Sequence, residues 1–186
     1  MSFIILAFAF IDYSQFRISI AILVVFGLIS DVLDGIIARR IGTSSVALRK
    51  LDSNVDQVFW LSTLFVVFYF NQVLFQLYWY WVFAVVILEI LAYVISYKKF
   101  KKTVATHSIL AKLFTLSLFV FILEVLLMGT SNYLFKLTIF MAILSRLEII
   151  GILLLLKKWA TDVPSIFAVG KLNKGIQPKR SKWFNG

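Results

Sequence analysis

The stretch YLFKLTIFMAILSRLEIIGILLLL, residues 133–156, carries only three charged residues, Lys136, Arg146 and Glu148. A helix over this stretch reaches roughly 36 Å at 1.5 Å per residue, enough to cross a hydrocarbon core of about 30 Å. An amphipathic helix of a soluble core would show a polar stripe, and this one shows none. Other runs of similar length occur along the chain. In lipid every backbone donor and acceptor must be satisfied internally, so helices are the expected spanning form. The composition agrees: 61% of the 186 residues are hydrophobic, against roughly half in a soluble domain.

Six apolar segments are predicted, at about 2–13, 17–38, 53–71, 76–96, 105–128 and 133–156. The first is too short to span by itself. Asp12 to Arg17, Asn71 and Gln72, YKKFKK at 97–102 and GTSN at 129–132 mark the breaks. The expected fold class is an all-α integral membrane protein, a bundle of about six transmembrane helices with the first short. Residues 1–156 form one transmembrane domain. Residues 157–186 form a basic cytoplasmic tail on the membrane surface or partly disordered.

Charge sets the orientation. Of 19 Lys and Arg, 16 cluster at 39–50, 98–112 and 157–182. An alternating bundle puts all three regions on one face, which the positive-inside rule makes cytoplasmic. The net charge of +10 is therefore assigned to anionic lipid headgroups rather than to nucleic acid. The chain has no cysteine, which excludes disulfides and thiolate metal sites. MSFIILAFAF lacks the basic start and small-residue cleavage site of a signal peptide.

Against this background DVLDGIIARRIGTSSVALRKLDSNVD, residues 31–56, stands out: it holds four of the nine acidic residues. Asp31 and Asp34 are about 60° apart on a helix, and Asp52 and Asp56 about 40°. The first pair closes one apolar segment and the second opens the next. A link at 40–51 would fold the helices back and converge all four carboxylates at the cytoplasmic rim. Four close negative charges in a poorly polarisable site need cations. Arg39, Arg40 and Arg49 could contribute but can also snorkel to headgroups. An oxygen-only donor set better suits Mg²⁺ or Mn²⁺, and four carboxylates on two helices can hold two such ions. Paired divalent ions are a clamp for phosphoryl transfer. Gly35 and Ala38 allow close approach of either a ligand or a neighbouring helix.

These residues resemble the signature of the CDP-alcohol phosphatidyltransferases, D-x2-D-G-x2-A-R-x8-G-x3-D-x3-D. Asp31, Asp34, Gly35, Ala38, Arg39, Asp52 and Asp56 fall at matching positions, and Leu48 replaces the second glycine. The resemblance implies transfer of a phosphatidyl group from a CDP-linked lipid donor to a polar alcohol acceptor, with release of CMP. It implies two divalent cations held by Asp31, Asp34, Asp52 and Asp56, with Asp56 as general base. It further implies a CDP pocket of Asp31, Gly35, Ala38 and Arg39, a homodimer, and a place in the cell (inner) membrane with the site facing the cytoplasm. Leu48 adds bulk where the family has none, which bears on the link and the nucleotide pocket.

Acceptor choice must come from elsewhere. HSILAKLFT sets Lys112 and Thr115 on one helix face. It loosely resembles a pattern in members that use phosphorylated acceptors such as glycerol 3-phosphate, although Lys112 also fits a snorkelling lysine. Arg146, inside the sixth segment, could bind an acceptor phosphate or pair with Glu89 or Glu124. His107 reads as interfacial, and YWYW at 78–81 as part of an aromatic belt. Two other enzymatic and non-enzymatic readings stand beside this one. They are transfer from CDP-choline or CDP-ethanolamine to diacylglycerol, and a non-catalytic membrane relative. A cation transporter would instead want acidic groups strung across the bilayer.

Overall fold

The computed structural model describes residues 1–41, 46–104, 106, 108–161 and 163–176; the side chains at 31, 32, 35–41, 46–54 and 57 lie outside that description. The described chain is helical and contains no strand. Four helices are long and apolar enough to cross a membrane: Ser2–Ser30, Trp79–Phe100, Ile109–Met128 and Tyr133–Leu155. Val58–Phe70 is a shorter apolar helix. The protein is thus an all-α integral membrane protein, with four full-length candidate spans among the described residues where six segments were predicted.

The difference has local causes. The first two predicted segments form one helical run, α1 (Ser2–Ile41), broken only at Asp12 (φ −161°, ψ 99°). Asp12 accepts a hydrogen bond from the Gln15 amide at 3.1 Å, so it is the N-cap of the second piece rather than the start of a break running to Arg17. Phe8 and Phe16 stack across the break at 4.7 Å. The third predicted segment begins earlier than expected. Helix α2 covers Val46–Phe70, since Val46–Leu51 is polar in part but contains good helix formers. Its apolar portion is consequently short. A six-residue helix, α3 (Gln72–Leu77), precedes α4 (Trp79–Phe100), α5 (Ile109–Met128), α6 (Tyr133–Leu155) and α7 (Val169–Asn173).

The chain forms two compact units. The first comprises Met1–Gln76 with Ile122–Ser131. In it α1 and α2 pack antiparallel: Tyr13 stacks on Phe70 at 4.4 Å, and Asn71 donates to the Tyr13 hydroxyl at 3.2 Å. Ile20, Val24, Val66 and Val67 are fully buried. Buried Thr63 returns its hydroxyl to the Phe59 carbonyl at 2.9 Å, which satisfies a polar group that lipid cannot. Gly129 (φ +75°) closes α5 with its amide on the Val125 carbonyl at 2.8 Å, a left-handed cap that glycine adopts without a Cβ clash.

The second unit comprises Leu77–Phe121 and Asn132–Gly186. Here α4 and α6 run parallel. Tyr78 meets Phe135 at one end, Ala92 packs with Ile149 and Leu153, and Lys99 reaches the Leu153 and Leu154 carbonyls at 3.0 and 2.5 Å at the other. Small buried residues, Ala92, Ser96, Ala142 and Ser145, let the backbones approach, as in lipid they must to gain dispersion contact. Lys99 supplies donors and positive charge to the open carbonyl end of α6.

Part of the expected tail is packed onto α6. Val163 and Val169 are buried with Ile152 and Leu156, and Ile166 and Leu172 pack against that cluster. Residues 177–186 of the predicted tail lie outside the described residues.

Candidate active site

The site is built by the register of α1 against α2. Gly27 is the point of closest approach: a Cβ there would lie 2.3 Å from Phe59 Cζ. Phe59 is nearly buried and held edge-on by Trp60 at 5.7 Å. Above this contact each helix gains about 1.5 Å per residue in opposite chain directions. Four residues on from Gly27 is Asp31; three residues back from Phe59 is Asp56. One further turn gives Asp34 on α1 and Asp52 on α2. By helix rise alone, positions 31 and 34 on α1 and 56 and 52 on α2 lie about 5–10 Å along their helices from the Gly27–Phe59 contact, on the same side of it.

Both motif halves lie within helices. Since α1 continues to Ile41, positions 31, 34, 35, 38 and 39 occupy one stripe of about 140°. Since α2 starts at Val46, Asp52 and Asp56 lie in its second and third turns, not at its opening. The link shortens from the predicted 40–51 to 42–45, which lies outside the described residues.

Asp34 is exposed, whereas Asp56 is half-buried and engaged in an interaction of its own. The side chains of Asp31, Gly35, Ala38, Arg39, Leu48 and Asp52 lie outside the described residues. Among the described residues no three His, Asp or Glu side chains gather as a metal-holding group; only Asp34 and Asp56 of the four carboxylates are included there. The donor chemistry, carboxylate oxygens on facing helices, suits hard divalent ions.

The acceptor candidates stand in the second unit. Lys112 and Thr115 are exposed on α5, with the Thr115 hydroxyl donated to the Ala111 carbonyl at 3.0 Å. Lys112 has an interaction of its own. Ser108, fully buried, caps α5 by accepting from the Ala111 amide at 3.1 Å. Arg146 pairs with Glu89 on α4 and lies over the Phe114 ring at 5.3 Å. Of the partners predicted for Arg146, Glu89 is the one it meets. His107 lies outside the described residues.

Gly27 and Phe59 escaped the sequence reading. Their only signal was a glycine inside an apolar helix, four residues before Asp31. A glycine there costs about 1 kcal/mol relative to alanine, which a close helix contact explains.

The fold is that of a helical membrane protein whose motif aspartates stand on two antiparallel helices. Residues 1–145 match the sequence model of the CDP-alcohol phosphatidyltransferases, and the chain belongs to that family. No curated protein and no solved structure matches it. Membership implies transfer of a phosphatidyl group from a CDP-alcohol to an alcohol acceptor.

Proposed function

We propose that the protein transfers the phosphatidyl group of CDP-diacylglycerol to a small polar alcohol, releasing CMP, in phospholipid synthesis. The observation that supports this reading is the spacing Asp31-x2-Asp34 and Asp52-x3-Asp56 on two helices, α1 and α2, that approach closely at Gly27 and Phe59.

In this reading Asp31, Asp34, Asp52 and Asp56 hold two Mg²⁺ or Mn²⁺ ions. Such ions, when bound, offset charge on the diphosphate and on the departing CMP. Asp31, Gly35, Ala38 and Arg39 bind the CDP group, and the glycine leaves room for close backbone approach. Asp56 accepts the proton of the acceptor hydroxyl. The hydroxyl oxygen forms a bond to the phosphorus that carries diacylglycerol. The bond from that phosphorus to the bridging oxygen breaks, and CMP leaves with the electron pair. A site at the end of the spans keeps the acyl chains in lipid and the CDP head in water.

Lys112 and Thr115 are proposed to bind the acceptor, with Arg146 as a third group once an anionic acceptor displaces Glu89. Glycerol 3-phosphate is the first acceptor to test. Charge asymmetry supports a cytoplasmic site in the cell membrane, since Arg39, Arg40, Arg49 and Lys50 lie between the two aspartate pairs in the sequence.

Purified protein with labelled CDP-diacylglycerol, Mn²⁺ and a panel of alcohols should release CMP and yield one new phospholipid. Absence of CMP release with every alcohol, including diacylglycerol offered with CDP-choline, would leave the protein a non-catalytic relative.

A further inference from the structure

The family match ends at residue 145, yet residues 163–173 are folded onto the helices of the second unit. The connections locate this segment in depth. The Pro164 carbonyl accepts from the Ile109 amide at 2.9 Å, at the start of α5. The Ile166 amide donates to Glu148 Oε1 at 3.3 Å. The Ile166 side chain fills the space over Gly151, where a Cβ would lie 2.6 Å from its Cδ1. Asn173 then returns to the end of α6, donating to the Leu155 carbonyl at 2.9 Å and accepting from the Lys157 amide at 2.9 Å.

Glu148 and Gly151 stand seven and four residues before the end of α6, roughly 10 and 6 Å inward along the helix. The segment therefore dips beside α6, turns at the 3₁₀ turn Ile166–Ala168, and climbs back through α7. Its inner face is Val163, Ile166 and Val169. Its outer face has the helical spacing of Phe167, Lys171 and Lys174. Phe167 is 89% exposed although it lies at the bottom of the dip, and both lysines are exposed near the top.

We propose that residues 163–176 are an interfacial anchor that inserts Phe167 into the acyl region of the adjacent leaflet and sets Lys171 and Lys174 against anionic phospholipid headgroups. Apolar groups of interfacial helices seat about 5–10 Å below the headgroups, comparable to the distance inward from the end of α6 at which Ile166, the neighbour of Phe167, meets Glu148 and Gly151. The same end of the unit exposes Lys101, Lys102, Lys157 and Lys158, while Glu89 and Glu148 lie within α4 and α6. Charge complementarity thus selects an anionic leaflet, each lysine near the surface strengthening apposition about five-fold. Glu148 and Gly151 act as positioning residues for the turn.

The chain has no native cysteine, so Phe167→Cys in the full-length protein accepts a single NBD label. The protein is reconstituted in phosphatidylcholine vesicles with or without phosphatidylglycerol. Lipids carrying a doxyl group high on the acyl chain should quench the label several-fold more than aqueous iodide. Adding phosphatidylglycerol should increase doxyl quenching, and Lys171→Gln with Lys174→Gln should remove that increase. A label at Phe140→Cys, exposed on α6, should report unchanged quenching in the lysine variant and so verify its fold. Iodide quenching in place of doxyl quenching would overturn the proposal. So would indifference to phosphatidylglycerol, or a lysine-dependent response to polyuridylate instead.

Discussion

Asp56 stands in the third turn of α2, three residues from the Phe59 ring that meets Gly27. If it is the proton acceptor, Asp56→Asn keeps shape and removes the basic oxygen. CMP release should fall by about 10²–10⁴-fold, while thermal unfolding in detergent changes little. An equal loss of folding would mark Asp56 as structural. Gly27 makes the complementary case. Gly27→Ala improves helix propensity by about 1 kcal/mol but forces a methyl to 2.3 Å from Phe59. Overpacking costs about 1–3 kcal/mol, so the net change should be destabilising. Adding Phe59→Leu should recover stability, a coupling that a double-mutant cycle on unfolding in detergent measures.

Between helices, one charged contact dominates the second unit. Arg146 on α6 pairs with Glu89 on α4, with their side chains 18% and 39% exposed. Removing one partner of a buried pair costs about 3–5 kcal/mol; partial exposure of Glu89 reduces this to about 1–2 kcal/mol. Glu89→Gln should lower the melting temperature, and Glu89→Gln with Arg146→Gln should lower it less than the single change. Additive losses would show that the pair is not coupled. The same scale explains why the expected tail became structure. Val163, Ile166 and Val169 are too few and too widely spaced to register as a periodic helix. Val163 and Val169 are buried and Ile166 packs against them where α6 offers Glu148 to an amide and Gly151 to a side chain.

For the whole molecule, the proposed metal site would tie stability to cations. If the four motif carboxylates converge as proposed, their repulsion without a divalent ion opposes the α1–α2 contact. EDTA should abolish CMP release and lower the melting temperature, and Mn²⁺ or Mg²⁺ should restore both, since a ligand of the folded state alone stabilises it. Unchanged melting on chelation would argue that the aspartates carry no resident metal. The amino-acid sequence by itself determined the helical membrane class and the motif spacing, because length, hydropathy and i, i+3 and i, i+4 geometry are local properties. Asp12 marks a break in the sequence but its capping role depends on the Gln15 amide; the start of α2 is hidden because its first turns are polar, and hydropathy does not see propensity. Only tertiary structure decided that Gly27 meets Phe59, that Arg146 takes Glu89, and that residues 163–173 return to α6. Each depends on which helix stands opposite, and non-local packing leaves no periodic trace in the chain that undergoes it.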